Sequence, residues 1–84
     1  MMQETSLQAW EKTREDLGKN QWLVYCMIEQ LGYATNSMIA DRLHWSINRV
    51  TPRTNELRKL NKVVYSHTSW CPITKSKAMY WKIA

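Results

Sequence analysis

NSMIADRLHWSINRVTPRTNELRKL, residues 36–60, carries two short helical patterns almost end to end. In the first, Ile39 and Leu43 stand one helical turn apart, and Ala40 is small enough to allow close packing beside them. In the second, Ile47, Val50, Thr54, Leu57 and Leu60 recur at spacings of three and four, the signature of one buried stripe. His44-Trp45-Ser46 is a tight connection ending in a residue suited to start a helix. Two helices joined by so short a turn must cross at a large angle, as in a helix-turn-helix.

Charge gives the second helix a candidate role. The chain of 84 residues has a net charge of +5, and that charge is segregated. Residues 1–18 balance at −2, whereas Arg42–Lys82 holds nine Lys or Arg against Glu56 alone. A basic field so concentrated implies a polyanionic partner. Arg49, Arg53, Arg58 and Lys59 occupy the faces of the second helix that its apolar stripe leaves free. A helix of that kind is expected to meet nucleic acid.

Outward from this pair, Lys19–Leu31 is the most apolar segment. Trp22, Leu23, Cys26, Met27 and Leu31 fill a wide helical face with Val24, Tyr25 and Ile28 beside them, which places this helix centrally. Gly32 follows at the position where a positive φ ends a helix, Tyr33–Thr35 has room only for a short strand, and Thr35 or Asn36 caps the next helix. Ser6–Leu17 has the pattern of a further helix, with Leu7, Trp10 and Leu17 near one face and Gly18 ending it in the left-handed conformation. That gives an N-terminal helical extension, residues 1–18, before a domain of residues 19–84. Trp10 serves either an intramolecular core or a dimer seam.

Pro52 stands about one turn inside the second helix if Asn48 caps it, and deeper, with a slight kink, if Ser46 does. Asn61 tolerates the left-handed geometry that closes that helix. Val63–Tyr65 with His67, and Ala78–Ile83, read as two strands. Residues 68–77 join them as a polar, basic hairpin tip. Trp45, Trp70 and Trp81 are expected in the core.

Three helices, a short strand and a hairpin, in that order, resemble the winged helix-turn-helix DNA-binding family, an α+β, mainly helical fold. Thr35–Leu43 looks like its first-helix pattern T-x-x-x-I-A-x-x-L. Val50–Val63 looks like its recognition-helix signature V-[ST]-x-R-x-x-E-L-x-x-x-G-x-[VI], with Asn61 in place of the Gly. The likeness covers roughly Lys19–Ile83, and the whole chain is similar to small phage and prophage winged-helix proteins, whose hairpin often carries a Cys-x-x-Thr piece such as Cys71–Thr74. The resemblance implies duplex DNA binding for transcription control, the recognition helix (about 47–60) in the major groove and the wing (about 68–77) on the backbone or minor groove. Carried over, Asn48, Arg49, Thr51 and Arg53 fall on the groove-facing part of the helix, and Lys75 and Lys77 on the wing tip. Arg58 and Lys59, with Lys62, suit phosphates. Arginine chelates guanine and asparagine adenine, so Arg53→Ala should cost about 1–3 kcal/mol on a specific site.

Other classes fare less well. Cys26, His44, His67 and Cys71 lack C-x-x-C or H-x-x-x-H spacing, so no metal is expected. No nucleophile–base pair or Gly-rich phosphate loop stands out, so neither an enzyme nor a cofactor is expected. No apolar run approaches a membrane span, and Met1–Glu4 lacks the start of a signal peptide. A cytoplasmic protein with reduced thiols is the expectation. The rival readings are a winged-helix module that docks on and inhibits a host protein, an RNA binder using the same basic face, and an architectural DNA role. A homodimer and a monomer both stay open.

Overall fold

The computed structural model describes residues 14–84, so the expectations for Leu7 and Trp10 lie outside the described residues. Residues 14–16 are helical and Leu17 is buried. The order that follows is α1 (Lys19–Leu31), β1 (Tyr33–Ala34), α2 (Asn36–Leu43), α3 (Ile47–Lys59), β2 (Val63–Cys71) and β3 (Ser76–Ile83). The strands form one antiparallel sheet in the order β1-β3-β2. This is the winged helix-turn-helix arrangement, α+β and mainly helical.

The helix ends explain why α2 and α3 meet at so sharp a turn. Thr35 caps α2, its hydroxyl accepting from the Met38 N–H at 3.1 Å. At the other end His44 is left-handed (φ 57), the Trp45 N–H donates to the Ala40 carbonyl at 3.0 Å and the His44 N–H to that of Asp41 at 3.4 Å. That is a Schellman ending with histidine where glycine is usual. Asn61 repeats it after α3 (φ 59), with Lys62 N–H donating to the Leu57 carbonyl at 2.9 Å, as its tolerance of this geometry implied. Because a Cβ in this region carries a penalty, His44→Gly is expected to raise stability by about 0.5–1 kcal/mol. A thermal melt that fell instead would mean the imidazole itself supports the turn.

Val24 and Ile28 of α1, Ile39 of α2, Val50 and Leu57 of α3, and Ala34 are 0% exposed and make the centre of the core with Val63 and Trp81. Thr54 is equally buried, and its hydroxyl donates to Asn36 Oδ1 at 2.8 Å, locking α3 to the start of α2.

Five expectations are corrected. The buried stripe of α3 is Val50, Thr54 and Leu57 alone; Ile47 and Leu60, at the two ends of the helix where the body of the protein no longer covers it, are 43% and 48% exposed. The centre of the α1 face is Val24, Tyr25 and Ile28, while Trp22, Met27 and Leu31 pack at its edge and Leu23 and Cys26 are half-buried. Gly18 is extended (φ −67), not left-handed; it caps the start of α1, its N–H donating to Gln21 Oε1 at 3.2 Å. The strands run well into residues 68–77, leaving only residues 72–75 as the turn, so Lys77 stands in β3 opposite Trp70 instead of at the tip. Trp70 is 58% exposed and no part of the core, whereas Trp81 is buried and Trp45 half-buried. The register explains Trp70. Tyr65 faces Trp81 and His67 faces Tyr80, so Ser66 is an extra residue, a bulge that reverses which side each later residue takes.

Candidate nucleic-acid interface

Helix α3 starts at Ile47 behind Ser46, which settles the cap and puts Pro52 inside the helix. Having no N–H, Pro52 leaves the Asn48 carbonyl without its ordinary helical donor. Asn48 and Pro52 are both exposed. Directly opposite the buried stripe of Val50, Thr54 and Leu57 stand Asn48, Pro52, Asn55 and Lys59, spaced four, three and four and all exposed. This outward row is the centre of the free face. Pro52 and Asn55 are the residues that attention to cations passes over; projecting the buried stripe through the helix axis finds them.

The arginines flank that row. Arg49 is exposed, its Cζ 3.9 Å from the centroid of the Trp45 ring, a cation–π contact that braces the guanidinium at the helix-turn-helix corner. Arg58 lies on the other flank, Cζ 4.5 Å from the Trp81 ring. Thr51 is half-buried and donates its hydroxyl to the Ile47 carbonyl at 3.0 Å.

Arg53 is placed differently from Arg49. It turns along the helix to Glu56: Nη2 donates to Oε2 at 2.9 Å, and Nε lies 2.8 Å from Oε1, near enough for an ion pair but out of line for a hydrogen bond. Gln21 Nε2 of α1 donates to the same Oε1 at 2.9 Å. The three side chains bridge α1 to α3. The Gln21 and Arg53 hydrogen bonds hold the Glu56 carboxyl below its usual range, helped by the charges of Arg53 and Lys59. A carboxyl lowered on folding contributes stability above its unfolded value, and that contribution disappears as pH falls through the folded value. Glu56→Gln is therefore expected to melt lower than the wild type at neutral pH and to converge with it in acid, a modest gap because the side chain is 39% exposed. Equal melts at neutral pH would deny the bridge any role.

Beside the outward row, Asn55, Arg58 and Lys59 form one wall of an open groove of about 510 Å³, and Val63, Val64 and Tyr65 of β2 form the other. The groove thus connects α3 to the wing. At the far end of the wing, Lys75 sits in the turn with φ 54, its N–H donating to the Cys71 carbonyl at 2.8 Å. Cys71 is 0% exposed and its Sγ lies 3.1 Å from Thr35 Oγ1, tying the turn to the start of α2. Burial works to raise this thiol, but the Thr35 hydroxyl, the Thr74 and Ile73 backbone N–H groups and the Thr74 hydroxyl outweigh it and hold it below the usual value. The other thiol, Cys26, is pushed up by burial and by Glu29.

Among the described residues no group of three His, Cys, Asp or Glu is close enough to hold a metal ion. No described helix is long and apolar enough to cross a membrane.

The sequence matches no protein-family model and no curated protein. Solved structures do share the fold. A "possible transcriptional regulator" from Methanosarcina mazei Go1 superposes with a TM-score of 0.66 at 12% identity, over 94% of this chain and 66% of that one. The YusO protein from Bacillus subtilis superposes with a TM-score of 0.69 at 18% identity, over 96% of this chain and 62% of its own. The present chain therefore spans just under two thirds of either. At these identities the likeness is one of fold.

Proposed function

We propose that this protein binds duplex DNA as a transcriptional regulator, with α3 in the major groove and the wing against the adjoining backbone. The observation that carries the reading is the row Asn48, Pro52, Asn55 and Lys59, exposed opposite the core stripe and adjoining a groove walled by Arg58 and Lys59. A helix packed on one side only, free and polar on the other, fits the major groove, which is about 12 Å wide. The shared fold with a chain described as a possible transcriptional regulator supports it. The finer assignment to a phage or prophage regulator rests on the family resemblance of Thr35–Leu43, Val50–Val63 and the Cys71–Thr74 piece.

Within this reading the side chains divide by chemistry. Asn48 and Asn55 carry the paired donor and acceptor that recognise adenine. Arg49, braced on Trp45, suits guanine or phosphate. Arg58, Lys59 and Lys62 neutralise the strand that follows the groove, and Lys75 and Lys77 the strand beyond it. Thr51, half-buried, and Arg53, paired to Glu56, shape the helix face and set its charge.

Titrating duplex DNA at two salt concentrations tests the proposal. Affinity should fall with a log–log slope of roughly −3 to −6, about one for each phosphate neutralised. Binding that ignored salt, or no binding, would refute it, and stronger binding to structured RNA would move the site to that partner.

A further inference from the structure

The sheet has two edges, and they are built differently. At one, β1 is two residues long, too short to template another strand. At the other, β2 runs nine residues, and no described strand pairs with its outer side. Along an antiparallel strand, every second residue turns its N–H and C=O away from the existing partner. Edges of this length are usually blunted by a lysine, a proline or a covering segment. The β2 sequence VVYSHTSWC has no Lys, Arg, Asp, Glu or Pro. The bulge at Ser66 interrupts only its root and leaves His67–Cys71 as a regular run. Within that run Thr68, Ser69 and Trp70 are exposed in succession, so no described segment lies over them. Trp70 is 58% exposed and Met79, its diagonal neighbour on β3, 48%.

We propose that β2 pairs antiparallel with β2 of a second copy, joining two three-stranded sheets into one. A strand edge met by its own reverse is self-complementary, because a two-fold axis brings each outward donor to the matching acceptor. Directly opposed residues must share a face of the sheet. A two-fold through Ser69, the middle of the regular run, meets that condition for every residue from His67 to Cys71. Ser69 then faces its own copy, and Thr68 faces the second copy's Trp70. The two Trp70 rings become diagonal neighbours with a Met79 behind each, and one apolar cluster closes over the seam. Charge does not oppose the pairing. Lys77 stands one strand behind Trp70, so its two copies are three strand spacings apart, about 14 Å. That exceeds the screening length of about 8 Å at physiological salt. So short a seam buries less than the roughly 1,200 Å² of a stable interface, which sets the expected dissociation constant at about 10–100 µM. The seam lies beyond the groove walled by Val63, Val64 and Tyr65, and so leaves α3 its free face.

Sedimentation equilibrium of the full chain, from about 1 µM to about 1 mM, should follow a monomer–dimer equilibrium. Trp70→Ala should weaken the dimer roughly tenfold or more by removing its apolar anchor. Ser69→Lys should do the same by setting two ammonium groups opposite each other on the axis. Both side chains are exposed, so thermal melts at the dilute end should match the wild type. Ser69→Cys tests the register. Opposed residues have Cβ atoms about 4.5–5.5 Å apart, so mild oxidation should yield a disulfide-linked dimer. Val64→Cys, also exposed but far from the axis, should cross-link no more than the wild type, whose own two thiols set the background. A wild type that stays monomeric throughout overturns the proposal. A dimer that Ser69→Lys leaves intact overturns it by placing the contact elsewhere on the chain, and so does cross-linking at Val64 equal to that at Ser69. Duplex binding is decided separately, by the salt titration.

Discussion

Leu57→Ala is expected to lower the unfolding free energy by about 2–5 kcal/mol, the largest effect of any single truncation on α3. Leu57 is fully buried, its carbonyl closes the Schellman ending through Lys62, and it shares the one stripe that holds α3 against the body of the protein. A domain of this size has only about 5–15 kcal/mol of stability, so the loss is a large fraction of the total. Urea unfolding gives the number directly from the shift of the midpoint. Leu57→Met, which conserves volume, should stay within about 1.5 kcal/mol of the wild type. If the alanine variant lost less than the methionine one, the packing of α3 would not be what the buried stripe indicates. DNA binding should weaken in both only as far as the folded fraction falls, because Leu57 does not reach the free face.

The parts of the fold legible in the sequence are those set by local chemistry. Ile39, Leu43 and the Val50–Leu57 stripe give two helices, and the short His44-Trp45-Ser46 link forces them to cross. Gly32 (φ 82), which has no Cβ, and Asn61 (φ 59), whose short amide tolerates the geometry, take the positive φ that ends their helices. What stayed hidden depends on partners far along the chain. In α1 nearly every residue from Trp22 to Ile28 is apolar, so the pattern could not say which side α3 and the sheet would cover. In β2 one inserted residue, Ser66, exchanges the two faces, and no composition announces a bulge. Tyr33 then packs edge-on against His67 and Tyr80, covering the outer face, while Trp70 is left on a face the helices do not reach.

The candidate interface divides the same way. Counting cations places Arg49, Arg58 and Lys59 on the free surface of the helix, where they are exposed, because an arginine on an otherwise polar helix face has few reasons to be elsewhere. It is silent on the Arg53 guanidinium, which is drawn back by Glu56 three residues on and, through it, by Gln21 from another helix. The i,i+3 pairing was visible in the sequence; that α1 would supply the third member was not. An arginine already satisfied within the protein must break an ion pair before it reads a base, so its net contribution to recognition is smaller than that of a free one.

That difference fixes the second large effect. Asn48→Ala combined with Asn55→Ala is expected to cost about 2–6 kcal/mol on a selected site, since each bidentate contact is worth about 1–3 kcal/mol. The two residues are seven apart, about 10 Å along the helix, too far to share a base pair, so their losses should add. At about 3.4 Å per step that spacing also predicts adenines about three base pairs apart in the preferred site. The measurement is competition between the selected duplex and a scrambled one. The double variant should retain the salt-dependent affinity for the scrambled duplex, because Arg58, Lys59 and Lys62 are untouched, while its preference for the selected site falls by at least an order of magnitude. Arg53→Ala gives the contrast: lower thermal stability through the lost Glu56–Gln21 bridge, with most of the preference kept. If instead Arg53→Ala abolished the preference and the asparagine pair did not, the ion pair would have to open on DNA, and the reading centre of α3 would lie on the flank facing α1 instead of along its outward row.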